Sequence, residues 1–416
     1  MLRKLVVGIT GPLGAGRRAA AQYLEESGFE VRHLSDILRD EARKGGQQDP
    51  TVDDLQDLGD KLRKKRRRHV LAKMSLKGTG NRVAVRGIKN AGEAQWLERN
   101  VSDFYLLAID ASSAVRRERK VGVGEGKLTE SAFDVAEQRD RGETDPWGVL
   151  LETGQQVDKC VHMADFVVWN DKLLLRGKGG PSSQDGSMDS LRQKLRRMLD
   201  TIDGPDRYRP SDRELFMGHA VLASRASECM RRQVGAALTS IDGRVLAVGC
   251  NDVPPPLNSC LRQYGVCHRR KIRDEQLQDL ADRFRCKQCG GLVDKQLRCK
   301  KCNSEHSQTF ERLRSLDLCR ALHAEETVLL QLARSDSRMG PDLHLYTTTF
   351  PCNMCARRIV RSGIHTVFYI DPYPGQESFE ALRESDTRVE HFEGFTLRGI
   401  EKVWGGVRPR GREVPS

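Results

Sequence analysis

Three Cys-x-x-Cys pairs constrain this chain more than any other feature: Cys286/Cys289, Cys299/Cys302 and Cys352/Cys355. Two thiolates three residues apart can be aimed at one ion by a single turn of backbone, so each pair dictates a local geometry. These pairs take up six of the 12 cysteines in the 416 residues. The opening run Met1-Leu2-Arg3-Lys4-Leu5-Val6-Val7-Gly8 has neither a long apolar leader segment nor a small-residue cleavage site, and it reads as a first strand. No stretch of about 18 apolar residues occurs, so no membrane span and no membrane partner are expected. A cytoplasmic location follows as the expectation, and in that reducing compartment the pairs favour metal over disulfides.

The third pair belongs to a larger set. His323-Ala324-Glu325 is followed, after twenty-five residues, by Pro351-Cys352-Asn353-Met354-Cys355. A catalytic Zn²⁺ takes three protein ligands and keeps a fourth position for water. His323, Cys352 and Cys355 supply one nitrogen and two sulfurs. Glu325, two residues from His323, stands beside such an ion without binding it, placed to take a proton from water and pass it on. The other two pairs, nine residues apart, are expected to close a four-cysteine zinc ribbon around a second, structural Zn²⁺.

The first part of the chain alternates strands and helices, which implies an α/β domain with a parallel, covered sheet; a second α/β unit follows, in which strands at Val234 to Ser240 and Arg244 to Val248 are joined by a hairpin turn at Asp242-Gly243. Residues 1–175 form the first expected domain, with strands at Leu5 to Ile9, Asn81 to Val85, Phe104 to Ile109 and Phe166 to Trp169. One long helix is expected over Asp53 to Lys73. Residues 176–210, containing the stretch Gly177 to Ser187, read as a linker with a short helix over Leu191 to Ile202. The second domain is expected over 211–400, interrupted by an insertion at 257–318 that carries the ribbon.

Gly11-Pro12-Leu13-Gly14-Ala15-Gly16-Arg17-Arg18 follows the first strand and opens a helix, the context of a P-loop whose backbone amides cradle phosphate. Gly11, Gly14, Gly16 and Arg17 are therefore candidate nucleotide contacts. The usual Lys is Arg17 and the usual Ser or Thr is Arg18. No hydroxyl is left for Mg²⁺, and Arg86-Gly87 stands where an acidic Mg²⁺ residue follows the Val83 to Val85 strand. A bound nucleotide without efficient turnover is the expectation, with a purely structural relic and an active nucleotide-hydrolysing domain as the alternatives. The net charge of +12 suits polyanions without choosing among them. The run Lys61 to Arg68 carries no interleaved aromatics, which counts against single-strand stacking there.

The second domain resembles the cytidine and deoxycytidylate deaminases. Besides the metal motif, the resemblance rests on Gln233-Val234-Gly235-Ala236-Ala237, Gly249-Cys250-Asn251-Asp252-Val253-Pro254 and Leu345-Tyr346-Thr347-Thr348-Thr349-Phe350-Pro351. It implies a three-layer α/β/α fold and zinc-dependent hydrolysis of a cytosine amine, with Glu325 as the catalytic acid and base. It also implies substrate contacts at Asn251, which helps hold the sugar, and at the backbone of Ala324, which helps read the base. Arg225, Arg231 and Arg232 are candidates for phosphate. The first domain is similar to P-loop nucleotide and dephospho-coenzyme-A kinases. The combination, with its inserted ribbon, resembles the bacterial antiphage deaminases. That likeness implies dCMP or dCTP as substrate, depletion of the deoxycytidine nucleotide pool, and a homo-oligomer. Two readings stand beside it: a deaminase of bases in RNA or single-stranded DNA, and a catalytically silent nucleotide sensor. A nucleic-acid partner is the less favoured, because an aromatic platform is missing.

Overall fold

The computed structural model describes residues 4–124, 127–142, 154–171, 185–272, 275, 285–286, 288–294, 298–304, 319–334, 342–371, 376–385 and 387–405. The chain divides into two compact units, one of Met1–Glu214 with Phe392–Ser416 and one of Leu215–His391. No helix among the described residues is long and apolar enough to cross a membrane.

In the first unit the strands are β1 (Leu5–Thr10), β2 (Glu30–His33), β3 (Arg82–Arg86), β4 (Asp103–Asp110) and β5 (Phe166–Trp169). The helices are α1 (Arg17–Glu26), α2 (Leu34–Lys44), α3 (Val52–Arg66), α4 (Val70–Ser75), α5 (Ala91–Asn100), α6 (Ser113–Lys120), α7 (Glu130–Arg141), α8 (Val157–His162) and α9 (Asp185–Asp203). The sheet order is β11-β5-β4-β1-β3-β2, where β11 is Gly394–Phe395. β1 lies between β3 and β4 and is buried along its length, which is why LVVGIT reads as an uninterrupted apolar run. The first five strands run parallel, and β11 joins antiparallel, pairing Phe395 with Phe166.

Three features differ from the sequence expectation. The single helix expected over Asp53 to Lys73 is two, because Arg67 adopts φ 109°, a left-handed conformation that ends α3. The helix expected as part of a linker is longer and belongs to a core: Leu191, Leu195, Met198, Leu199 and Ile202 of α9 pack with Leu24, Tyr105 and Ile109. Of the expected linker stretch, residues 177–184 lie outside the described residues. The expected boundary at 400 also shifts. From Phe392 onward the chain is part of the first unit, where Phe395 is fully buried edge-on to Phe166 and α15 (Leu397–Trp404) packs in the same cluster. Asp165 fixes that return. Its buried carboxylate accepts from Lys402 Nζ at 2.7 Å, Arg398 Nε at 3.3 Å and the Leu106 amide at 2.8 Å.

The charged run on α3 is not wholly a solvated face. Arg63 is buried and donates through Nε (3.0 Å) and Nη2 (2.9 Å) to Glu93, which is itself fully buried on α5. Glu93 also accepts from the amides of Lys89 and Asn90, closing a capping box at the start of α5.

The second unit starts within α10 (Asp212–Ser224). It continues with β6 (Gly235–Ser240), β7 (Val245–Cys250), α11 (Cys260–Tyr264), α12 (Ala324–Arg334), β8 (Leu343–Thr349), α13 (Asn353–Arg361), β9 (Ile364–Asp371), α14 (Gln376–Arg383) and β10 (Arg388–His391). Its sheet order is β10-β9-β8-β6-β7: β6 is antiparallel to both neighbours, while β8, β9 and β10 run parallel. Ala236, Leu238, Leu345 and Val367 from the sheet pack with Val328 of α12 and Ile359 of α13, so both helices that carry the metal motif are anchored in one core. Of the insertion expected at 257–318, residues 273–274, 276–284, 287, 295–297 and 305–318 lie outside the described residues.

Candidate active site and metal centre

The motif residues sit where two helices begin. His323 immediately precedes α12, and Ala324 and Glu325 are its first two residues. Cys352 is the N-cap of α13 and Cys355 lies in its first turn. Helix starts expose unpaired amides and the positive end of the backbone dipole, a setting that favours thiolates. The structure brings His323, Cys352 and Cys355 together, with their ligand atoms all within 4.8 Å of one another. His323 Nδ1 is 3.3 Å from Cys352 Sγ and 3.3 Å from Cys355 Sγ. The hydrogen bond from Cys355, together with His323, pulls the Cys352 thiol well below its ordinary range. The same contact and burial push the Cys355 thiol up.

Glu325 is 4% exposed, and burial pushes its carboxyl up to about 7. His323, Glu325 and Cys352 line a cavity of about 420 Å³ together with Ala324, Asn251 and Phe350. Four arginines line it too: Arg231, Arg232, Arg269 and Arg320. Arg320 bonds Gln263 and lies over the Tyr264 ring. Among the described residues, the side chains of Arg231 and Arg232 make no hydrogen bond or ion pair. Arg225, the third phosphate candidate, is not among the described residues that line it.

Asn251 lines the cavity but its amide is already engaged. Oδ1 accepts from Ser227 Oγ at 2.9 Å and from the Val234 amide at 2.7 Å, and Nδ2 donates to the Arg232 carbonyl at 2.9 Å. Its side chain thus holds the segment 227–234, which carries Arg231 and Arg232, against the end of β7. Sequence reasoning missed Arg269 and Arg320 as cavity residues; nothing in their local sequence signals it, because chain folding alone brings them there.

The four remaining motif cysteines also converge. Cys286, Cys289, Cys299 and Cys302 have sulfurs within 4.8 Å of one another, with Cys289–Cys299 at 3.3 Å and Cys286–Cys302 at 3.5 Å. Those separations far exceed a disulfide bond of about 2.05 Å and come near the ~3.8 Å edge of a zinc tetrathiolate. Amides of Gln288 and Lys301 donate to Cys286 and Cys299 sulfurs at 3.4 and 3.3 Å, as knuckle turns do. A Cβ at Gly291 would stand 2.9 Å from Lys301 Cβ and 3.0 Å from Cys299 Sγ, so a side chain there would force the knuckle to shift.

In the first unit the turn after β1 keeps its glycines for cause. Gly11 and Gly16 have φ 138° and 113°, and a Cβ on Gly11 would meet the Ile109 carbonyl at 1.9 Å. Gly14 and Arg17 follow in the same turn, with Arg17 opening α1.

Residues 210–371 match the family described as "Cytidine and deoxycytidylate deaminase zinc-binding region". A deoxycytidylate deaminase of Mycobacterium phage D29 is 31% identical over 161 residues, 39% of this chain and 95% of that relative. The chain belongs to the cytidine and deoxycytidylate deaminase family. Deoxycytidylate deaminases of Saccharomyces cerevisiae (29% identical over 248 residues, 57% of this chain) and Schizosaccharomyces pombe (34% over 169 residues, 41% of this chain) are further relatives. The chain spans 66% of the length of the first and 40% of the second. The family match places His323, Glu325, Cys352 and Cys355 inside its zinc-binding region.

Proposed function

We propose that the second unit hydrolyses the 4-amino group of a deoxycytidine nucleotide, dCMP or dCTP, releasing ammonia and the deoxyuridine nucleotide. The observation that carries this reading is the convergence of His323 Nδ1 with the sulfurs of Cys352 and Cys355 beside a buried carboxyl group in a cavity. One imidazole and two thiols at these separations fit Zn²⁺, and fewer than four protein donors is the pattern of a catalytic site. Zinc held there supplies an activated water as the nucleophile near neutral pH. Glu325 would take one proton from the attacking water and give it to N3 of the cytosine; it would then take the second proton, from the new hydroxyl on C4, and give it to the amine, which leaves as ammonia. Water and the amine thus exchange for a carbonyl oxygen and ammonia, and the carboxylate ends as it began.

The backbone at Ala324 faces the base in this reading, and Asn251 positions the 227–234 segment beside the sugar. Arg231 and Arg232, whose guanidinium groups are unpaired among the described residues, meet the phosphates. The test is ammonia release by zinc-replete protein with dCMP, dCTP, CMP and a cytosine-bearing single strand offered in parallel. Activity on a deoxynucleotide is expected; activity on the strand alone would replace this reading with one of polynucleotide editing.

The four-cysteine cluster is assigned a second, structural Zn²⁺. Two zinc ions per chain are expected by elemental analysis, falling to one in Cys299→Ser while deamination persists. A wild-type content of one ion would remove the assignment.

A further inference from the structure

The first unit holds a cavity of about 500 Å³ above the turn that follows β1. Cations reach it from five elements: besides Arg39 of α2 and Arg63 of α3, which are ion-paired with Asp36 and Glu93, they are Arg17 and Arg18 at the start of α1, Arg86 at the end of β3 with Lys89 beyond it, and Arg119 and Lys120 on α6. Among the described residues, no carboxylate lines it. The side chains of Arg17, Arg18, Arg86 and Lys120 make no hydrogen bond or ion pair among those residues either. The buried acids that touch its lining are already spent: Asp140 accepts from the Leu13 amide at 2.9 Å and from Lys89 Nζ at 2.7 Å, and Glu93 accepts from Arg63. Asp36 is likewise engaged, by Arg39 at 2.6 Å.

Like charges gathered in one place repel, and burial adds to the cost. Burial, then the neighbouring Arg17, lowers both Arg86 and Lys120 from their ordinary ranges. The fold nevertheless holds the cluster firmly. Arg119 donates to the carbonyls of Gly14 (3.1 Å) and Asn170 (2.7 Å), and Asn170 Nδ2 donates to the Ala15 carbonyl at 2.8 Å. The carbonyls of the turn are thereby tied back, and the first-turn amides of α1 have no acceptor within the helix.

We propose that this cavity binds the polyphosphate of a nucleoside triphosphate without a divalent cation, and does not hydrolyse it. Mg²⁺ demands oxygen ligands in near-octahedral array. Here Arg18 replaces the hydroxyl that a P-loop offers the metal, and Arg86 stands at the strand end where an acidic ligand would. The charge that Mg²⁺ would bring is carried by guanidinium groups instead, which match phosphate oxygens directly. Phosphoryl transfer needs the metal and a water-orienting group, so the bound anion persists. The nucleoside end has its own lining: Leu34 and Leu38 from α2, Leu55 and Gln56 from α3, and Leu71 from α4. A cavity of this size is in the range that encloses a small ligand.

The experiment uses the full-length, zinc-replete protein and titration calorimetry with ATP and with inorganic tripolyphosphate, neither of which carries cytosine. Each is measured with and without added Mg²⁺, and ATP samples are assayed for released phosphate. Binding of both probes, undiminished in the absence of Mg²⁺ and weakening as salt is raised, is expected, with no phosphate release. Arg18→Ala, at an exposed position, is expected to bind about tenfold more weakly. Arg18→Ser combined with Arg86→Asp is expected to make binding Mg²⁺-dependent, and its thermal melt reports whether the unit still folds. Three results overturn the proposal: neither probe binds the wild type, Mg²⁺ strengthens wild-type binding about tenfold, or the wild type releases phosphate.

Discussion

Glu325→Gln is expected to keep its zinc and lose about 10²–10⁴-fold in ammonia release, the usual worth of a positioned acid and base. Glutamine has nearly the shape of glutamate and fills the same buried place at the start of α12, so the three metal donors keep their partners. What disappears is the group that carries protons between water, N3 and the amine. Zinc per chain and turnover of dCMP and dCTP, measured on the same preparation, separate the two effects. Loss of zinc along with activity would assign Glu325 a role in metal binding; wild-type turnover would remove the carboxyl from the mechanism.

Glu93→Ala is expected to destabilise the first unit by about 3–5 kcal/mol, because it strands a buried guanidinium group without its counter-charge. Both members of the Arg63–Glu93 pair are nearly inaccessible, with side chains 6% and 0% exposed. The amides of Lys89 and Asn90 lose their acceptor in the same step. Combining Arg63→Met with Glu93→Gln removes both charges and keeps an acceptor for those amides, so the double variant is expected to recover much of the loss. Differential scanning calorimetry checks both. If the single variant melts like wild type, water or Asp60, which also contacts Arg63 at 2.9 Å, is compensating the charge.

The convergence of His323, Cys352 and Cys355 was legible in the sequence because a nitrogen and two sulfurs at that spacing, with a carboxylate at Glu325, form one of the few combinations that zinc chemistry accepts. The central strands were legible for a similar reason: Leu5–Thr10 and Asp103–Asp110 are buried almost throughout and carry little else than apolar side chains. Elements that depend on distant partners were not. β11 is two residues long and exists only because β5 is there to pair with it. The start of α9 was hidden behind Gly and Ser, and only packing against α1 reveals that Leu195 and Met198 are interior. Asn251 illustrates a different limit. Its identity was readable as site-related, but its hydrogen bonds to Ser227, Val234 and Arg232 give it to the local backbone.

The late return of the chain sets an order of assembly. Phe395 caps the apolar edge of β5, and Lys402 and Arg398 neutralise the interior carboxylate of Asp165. All three residues are synthesised after the whole of the second unit. Domains generally fold as units in the order in which the ribosome delivers them. Here the unit that begins first is therefore completed last, with a bare strand edge and an uncompensated buried acid for as long as Leu215–His391 is being made. A message truncated anywhere in the deaminase region leaves the first unit without Phe395, Arg398 and Lys402, so completion of that unit is tied to translation beyond the second one.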